Sequence, residues 1–307
     1  MTAGLARARI SAPLLMVGAA LLFSMTAVCV KWASALYNAG ELVFYRSVIG
    51  TLFVVVMTRA NGTSLRTSIP SMHFWRGASG VMSLMLWFYA TGGMPIATAM
   101  TLNYMSSVWM ALFMLGGSVM LGADRVDGRI AAAIFTGFIG VGLVLRPTFD
   151  QQQLWYGVAG LVSGVMAAMT YLQITALGRA GEPEERTVFY FSLSGMAAGA
   201  TWMLVGGTHP HSARGVLLLL AIGLLATVAQ VMMTRAYRIG HTLTNACLQY
   251  LAIVFTFVFG VLVFDDPVTW MAMAGMALII LAGLAATFLR THQRPSVASP
   301  HVPPNEA

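Results

Sequence analysis

Ten apolar runs fill almost the whole chain, and each is long enough to cross a membrane as a helix of about 17–25 residues. Hydrophobic residues make up 58% of the chain and charged residues only 9%, whereas a soluble domain carries about 25% charged residues. We therefore predict an all-α integral membrane protein with ten transmembrane helices. The predicted spans are residues 13–37, 41–58, 73–91, 95–121, 128–146, 154–176, 186–206, 213–237, 241–264 and 267–289.

The sequence indicates an internal duplication of a unit of five spans. Residues 43–50 (VFYRSVIG) return as residues 188–195 (VFYFSLSG), with five of the eight positions identical. Because five spans is an odd number, the second copy must enter the membrane from the opposite side, which makes the repeat an inverted one. Two further pairs return in the same order, namely residues 39–41 with 180–182 and residues 102–104 with 248–250.

The distribution of basic residues predicts the orientation. Threading ten spans from a cytoplasmic N-terminus places thirteen of the 17 basic residues, Arg76 among them, on the cytoplasmic side. Only Arg146 and Arg214 fall on the opposite face, while Lys31 and Arg46 lie within or near the membrane. This imbalance predicts a multi-pass protein of a bacterial inner membrane with both termini in the cytoplasm. The predicted segments are a cytoplasmic N-terminus (1–12), two five-helix repeats (13–147 and 154–289) and a disordered cytoplasmic tail (290–307).

Three groups of residues carry a resemblance to a known family. Glu41 precedes Phe-Tyr-Arg (44–46) at the head of the second span, residues 88–90 (FYA) precede 94–99 (MPIATA), and glycines mark the ends of both halves. These motifs resemble the drug/metabolite transporter superfamily, and most closely its EamA family. The resemblance covers about residues 13–289 and implies two five-helix repeats and secondary transport. The resemblance does not indicate which substrate is carried, because members of the family carry amino acids, nucleotide-like metabolites, vitamins and drugs.

The fourth span departs from the family pattern. Related proteins often have a proline midway through it, where this chain has Ser106-Ser107-Val108. No run has a proline beyond its first turn, so we expect few sharply broken helices.

Asn103-Tyr104 and Gln249-Tyr250 are the leading candidates for substrate binding. Each pair lies about ten residues into the fourth or ninth span, near the middle of the membrane at about 1.5 Å per residue. An inverted repeat brings them to one central region, where amides and phenols orient a polar or zwitterionic ligand. The alternative is that they hydrogen-bond neighbouring helices, an interaction of about 0.6 kcal/mol on average.

Lys31 and Arg46 are candidates because a charge inside a membrane usually faces a cavity or a partner. Either can meet an acidic group on the substrate. The alternatives are that Lys31 reaches the headgroups and that Arg46 pairs with Glu41 or with helix carbonyls. Lesser candidates for the same site are Tyr171, Gln173, Gln230 and Trp87.

The sequence favours a secondary transporter, an exporter or exchanger of small metabolites such as amino acids. All acidic residues lie in loops, the tail or terminal helical turns, which favours transport driven by the substrate gradient. A multidrug efflux carrier of the same fold is the alternative, and an intramembrane enzyme is disfavoured because no Gly-x-Ser-x-Gly or His-Glu-x-x-His motif occurs. We predict no cofactor, no metal site, including at His209-Pro210-His211, and no nucleic acid. The expected partners are a small molecule and the bilayer, for a monomer or a homodimer.

Overall fold

A computed structural model describes residues 11–120, 151–240, 245 and 248–292, with single residues at 129, 132, 135–137, 139, 140 and 143. Throughout these residues the backbone is helical or turn, without a strand. The helices are α1 (Ala12–Ala33), α2 (Ala39–Asn61), α3 (Pro70–Gly93), α4 (Ile96–Tyr104), α5 (Ser106–Met120), α6 (Gln151–Arg179), α7 (Glu184–Gly206), α8 (Ala213–Ile239), α9 (Leu251–Phe264) and α10 (Trp270–His292). Residues 293–307 of the predicted tail and most of the fifth span lie outside the described residues, whereas residues 290–292 continue helix α10.

Local sequence signals set several helix ends. Prolines occupy the first turns of α1 and α3, where a missing N–H costs little. At the start of α2, Asn38 accepts a hydrogen bond from the Glu41 N–H at 3.0 Å, and the Glu41 carboxylate accepts one from the Asn38 N–H at 2.9 Å. This capping box satisfies two backbone donors. Helix α2 is capped by Gly62, whose φ of 67° is the left-handed conformation that glycine adopts most easily.

The outer surface of the helices is apolar. Among the described residues, five helices are long and apolar enough to cross a membrane: α1, α2, α7, α8 and residues Leu154–Arg179 of α6. Leu204 and Val205 are each 88% exposed, as expected for side chains that meet lipid rather than water. Exposed tryptophans lie near helix ends, the usual position of aromatic residues at a membrane interface: Trp75, Trp155, Trp202 and Trp270.

The most extensive helix contacts join the two halves of the sequence. Helix α1 packs on α8, α2 on α7, α3 on α6 and α4 on α9. The halves therefore interlock instead of forming two separate bundles.

Helices α2 and α7 cross in opposite directions with reciprocal contacts. Asn38, before α2, donates to the Gly207 carbonyl after α7, at 3.4 Å. At the other end Asn61 donates to Glu185 at 3.5 Å. Between these ends two small pairs form the crossing: Gly50 faces Ser192, and Gly195 faces Ser47. Ser47 and Gly50 are the repeat counterparts of Ser192 and Gly195, so each copy of the motif presents its serine to the glycine of the other.

Two of the predicted spans are interrupted, contrary to the expectation of few broken helices. The fourth breaks at Met105, between α4 and α5, and in the ninth Tyr250 is a turn residue that precedes α9. The Met105 N–H contacts both the Thr101 and Leu102 carbonyls, at 3.1 and 3.3 Å, which tightens the turn. The Thr101 hydroxyl donates to the Ala97 carbonyl at 2.7 Å, a contact that bends helices. An interruption therefore arises here without proline.

Helix α6 approaches α4 closely at Gly164. A Cβ added there would lie 2.6 Å from the Leu102 carbonyl oxygen and 3.1 Å from that of Asn103. Because backbone atoms cannot rotate away, we expect Gly164→Ala to lower the free energy of unfolding by about 1–3 kcal/mol. Thermal unfolding in detergent measures the loss. Gly116→Ala on α5 is the control: its added Cβ meets nothing within 4 Å, so helix propensity should stabilise it by up to about 1 kcal/mol. Equal melting temperatures for the two variants would contradict this packing.

Candidate functional site

A partly open cavity of about 80 Å³ lies between the two halves. Helices α1, α2, α3 and α4 of the first half and α6, α7 and α8 of the second form its walls. Six of the ten candidate residues line it: Arg46, Trp87, Asn103, Tyr104, Tyr171 and Gln230. Residues separated by as much as 184 positions in the sequence thus meet in one place.

Two arginines share one aromatic ring in this cavity. The guanidinium carbon of Arg46 lies 5.1 Å from the centre of the Phe191 ring, and that of Arg76 lies 4.0 Å from it. The arginines are only 4% and 1% exposed. Phe191 occupies the position in the second repeat that Arg46 occupies in the first. The second repeat therefore has an aromatic ring where the first has an arginine. The π-face of this ring contacts both Arg46 and Arg76.

The position of Arg76 corrects the sequence analysis, which assigned it to the cytoplasmic side. Helix α3 begins at Pro70, so Arg76 falls in its second turn and faces inward. Gly80, one turn further on, leaves room for the guanidinium, because a Cβ at Gly80 would collide with Arg76 Nη1. The sequence does contain an indication that Arg76 is buried, because Arg76 lies inside the predicted third span, residues 73–91.

Among the fully buried polar atoms of the cavity walls, those without a described hydrogen-bond partner are all donors. Arg46 Nε, Arg76 Nε and Nη1, Trp87 Nε1 and Gln230 Nε2 have no hydrogen-bond acceptor among the described residues. The lining contains no aspartate or glutamate among the residues that the structure places there. The walls therefore carry two positive charges and an excess of N–H groups.

Asn103 anchors the polar side of the cavity. Its amide nitrogen donates to Ser163 Oγ at 3.0 Å and to Ser83 Oγ at 3.5 Å. These bonds fix the amide between α3, α4 and α6. Behind them, Ser79 contacts Thr170 at 3.0 Å and donates to Gln173 at 2.9 Å.

Four candidate residues do not line the cavity. Lys31 donates to the Met94 carbonyl at 2.7 Å and to the Gly92 carbonyl at 3.4 Å, at the end of α3. Gln173 lies in the serine network just described. Gln249 is buried behind the wall, where its nitrogen contacts the Met233 sulfur at 3.6 Å, and Tyr250 packs in the core.

Two carboxylates clamp opposite ends of the α2–α7 pair. Glu41, fully buried at the start of α2, accepts from the His209 N–H at 2.7 Å and contacts its Nδ1 at 2.7 Å. Its partner is therefore His209, not the Arg46 considered above. Glu182, before α7, contacts His73 Nε2 at 3.2 Å and accepts from Arg186 at 2.9 Å. The Glu41 clamp ties the start of α2 to the connection after α7, and the Glu182 clamp ties the start of α7 to the first turn of α3.

The clamp at Glu182 lies outside the spanning helices. Burial on its own raises the pKa of Glu182, but hydrogen bonds from Arg186, Thr67 and His73 outweigh it and hold the pKa below the usual range of a glutamate. A carboxylate with a lowered pKa stabilises the fold at neutral pH, and that contribution is lost as the pH falls through its folded pKa. The sequence did not reveal either clamp, because each histidine comes from the other half.

Comparison with known proteins identifies the family. Residues 154–288 match the EamA-like transporter family. A pseudopaline exporter of Pseudomonas aeruginosa is 32% identical over 275 residues, which cover 90% of this chain and 95% of that protein. The chain belongs to the EamA family. A riboflavin transporter of Brucella anthropi is also similar to the EamA chain, at 24% identity over 88% of this chain and 95% of that protein.

The fold is also found among solved structures. One crystal structure matches the EamA chain with a TM-score of 0.66 and 20% identity, over 91% of this chain and 98% of the other. Together with the named transporters, this makes the EamA chain a multi-pass membrane transporter of a small molecule.

Proposed function

We propose that this EamA chain is a secondary exporter or exchanger of small polar metabolites, which it carries by alternating access. The observation that carries the proposal is the cavity: both halves form it, and Asn103, Tyr104, Tyr171 and Gln230 converge on it. Its volume of about 80 Å³ is small beside the about 300–1,000 Å³ of typical ligand pockets. Loading a metabolite therefore requires the halves to move apart, as alternating access demands.

The proposed architecture is ten spans in two inverted repeats, residues 13–147 and 154–289. The helix pairs support it, because exchanging the two halves converts the α1–α8 contact into the α3–α6 contact and leaves α2–α7 unchanged. The opposite directions of α2 and α7 and their reciprocal serine–glycine contacts are what a twofold axis in the membrane plane produces.

The proposed orientation puts both termini in the cytoplasm of a bacterium. Basic residues gather where α2 ends and α7 begins: Arg186 donates to the Ser64 carbonyl at 2.8 Å, and Arg235 and Arg238 pair with Glu184. The opposite end of this helix pair carries the neutral Asn38–Gly207 contact and the Glu41 clamp. The basic end belongs on the cytoplasmic side by the positive-inside rule.

The two alternative functions fit the cavity less well. A carrier of cationic drugs would have to bring a positive charge beside Arg46 and Arg76, and neither has a carboxylate to offset it among the described lining residues. An intramembrane enzyme would need a general base or a metal ligand, and the described lining contains no histidine, cysteine or carboxylate.

Proteoliposomes test the proposal. We expect the purified full-length chain to exchange labelled amino acids or organic acids across the bilayer and to leave the cationic dye ethidium in place. Asn103→Ala should weaken substrate affinity by about 5- to 100-fold, because it removes a buried hydrogen-bonding group. Asn61→Ala, a change of the same residue type at an exposed end of α2, should transport normally. Ethidium transport, or an Asn103→Ala variant with unchanged affinity, would contradict the proposal.

A further inference from the structure

We infer that Arg46 and Arg76, placed around Phe191, form an anion site, and that the substrate is a net-anionic small organic acid whose carboxylate binds there. This inference deepens the proposed function and rests on it. It narrows the expected substrates from amino acids in general to acids that carry more negative than positive charge.

The first support is the lack of compensation for two buried cations. Arg46 and Arg76 are almost fully buried, and neither forms an ion pair with a described residue. They contact one ring, so each lies in the repulsive field of the other. Buried charges are normally paired, because removing them from water is costly. A ligand with negative charge supplies the missing partner.

The second support is the type of hydrogen bond that the cavity lacks. A guanidinium has five N–H donors and no acceptor, and an indole only donates. Three arginine nitrogens and the Trp87 nitrogen belong to lining residues and lack an acceptor among the described residues. A carboxylate only accepts, and its two oxygens match the fork of a guanidinium. An amine or a neutral amide matches this array less well.

The third support is the position of the arginines relative to apolar groups. Phe23, Leu84 and Met100 line the same cavity, so one side binds charge and another accepts a hydrocarbon body. A carboxylate presents two coplanar oxygens that match the N–H groups of a guanidinium, so it is the anion that we assign to the space beside Phe191. One carboxylate leaves one of the two positive charges unbalanced, and a zwitterion leaves both, which favours diacids.

A matched five-carbon series tests the charge requirement. Glutarate carries two negative charges, glutaramide none, and cadaverine two positive charges. We expect glutarate to raise the melting temperature of the purified full-length protein in detergent, as a ligand of the native state does. Glutaramide, cadaverine and inorganic phosphate should leave it unchanged. Equal shifts with all three five-carbon probes would overturn the charge requirement, and a shift with phosphate alone would overturn the assignment to a carboxylate.

Substitutions separate this site from general effects of charge. Arg46→Gln should weaken glutarate binding by about 10- to 100-fold, because a charged hydrogen bond is lost. Arg46→Lys should still bind glutarate in preference to glutaramide, but with lower affinity than the wild type. Lysine keeps the positive charge but lacks the paired N–H donors of the guanidinium. Arg59→Gln, at an exposed position of the same helix, should bind like the wild type. Unchanged binding by Arg46→Gln would refute the site.

The outcome is distinguishable from failure of the proposed function. Glutarate binding without transport in proteoliposomes would refute transport of this acid and leave the anion site standing. Exchange of neutral metabolites without any glutarate binding would refute the anion site and leave the proposed transport standing.

Discussion

Arg76→Met should abolish transport and, at the same time, make the ligand-free protein more stable. Methionine keeps much of the side-chain volume but removes a buried charge that no described residue compensates. Replacing buried charges by apolar groups of similar size stabilises proteins by about 1–4 kcal/mol. Loss of a charge that grips the substrate should lower the transport rate at low substrate concentration by about 100-fold or more. Thermal unfolding and proteoliposome exchange measure the two effects.

The controls for this result are arginine-to-methionine substitutions at other positions. Arg59→Met changes an exposed arginine of α2 and should alter neither quantity. The double variant Arg46→Met/Arg76→Met should gain less stability than the two single gains together, because the repulsion between the two charges is removed only once. A destabilised Arg76→Met variant would show that the arginine holds the fold rather than the substrate.

Glu41→Ala should produce the largest loss of stability in the chain. The carboxylate is fully buried and accepts hydrogen bonds from the Asn38 N–H and the His209 N–H, besides contacting the His209 ring. Its removal leaves these donors unsatisfied and breaks the capping box, at a combined cost of about 2–4 kcal/mol. Thermal unfolding in detergent, with the yield of folded protein beside it, measures the loss.

Two further variants assign that loss to the clamp. Glu185→Ala removes a carboxylate whose contact with Asn61 is long, at 3.5 Å, and should cost little. His209→Ala should destabilise the wild type by more than it destabilises the Glu41→Ala variant, because the two residues share one interaction. Additive effects of the two substitutions would mean that Glu41 and His209 act separately.

The sequence singled out some residues that the structure brings to the cavity and others that lie outside it, and their part in substrate binding stays a prediction. Asn103, Tyr104 and Gln230 face the cavity because polar groups inside a membrane are retained where other polar groups meet them. Lys31 is also charged and intramembrane, but the free carbonyls at the end of α3 satisfy it locally. The sequence pattern does not distinguish a polar residue that lines the cavity from one that is bound by a neighbouring helix end. The difference depends on which helix end lies beside the side chain in the fold.

Arg76 and the clamps show what the sequence could not supply. Counting positive charges by side assumes that a residue near a helix end lies in water, and Arg76 turns inward instead. The histidine partners of Glu41 and Glu182 lie over a hundred residues away in the sequence, so local patterns do not indicate them. The interruption at Met105 likewise occurs where the absence of proline predicted a continuous helix.

Both arginines belong to the first half of the chain, whereas the second half contributes the Phe191 ring and the Gln230 amide. In the proposed inverted repeat the two halves would therefore be unequal, because the first supplies both positive charges and the second a neutral surface. Charges placed on the symmetry axis would bind an anion equally from either compartment. With both charges in one half, we expect the protein to bind its substrate with different affinities from the two faces of the membrane.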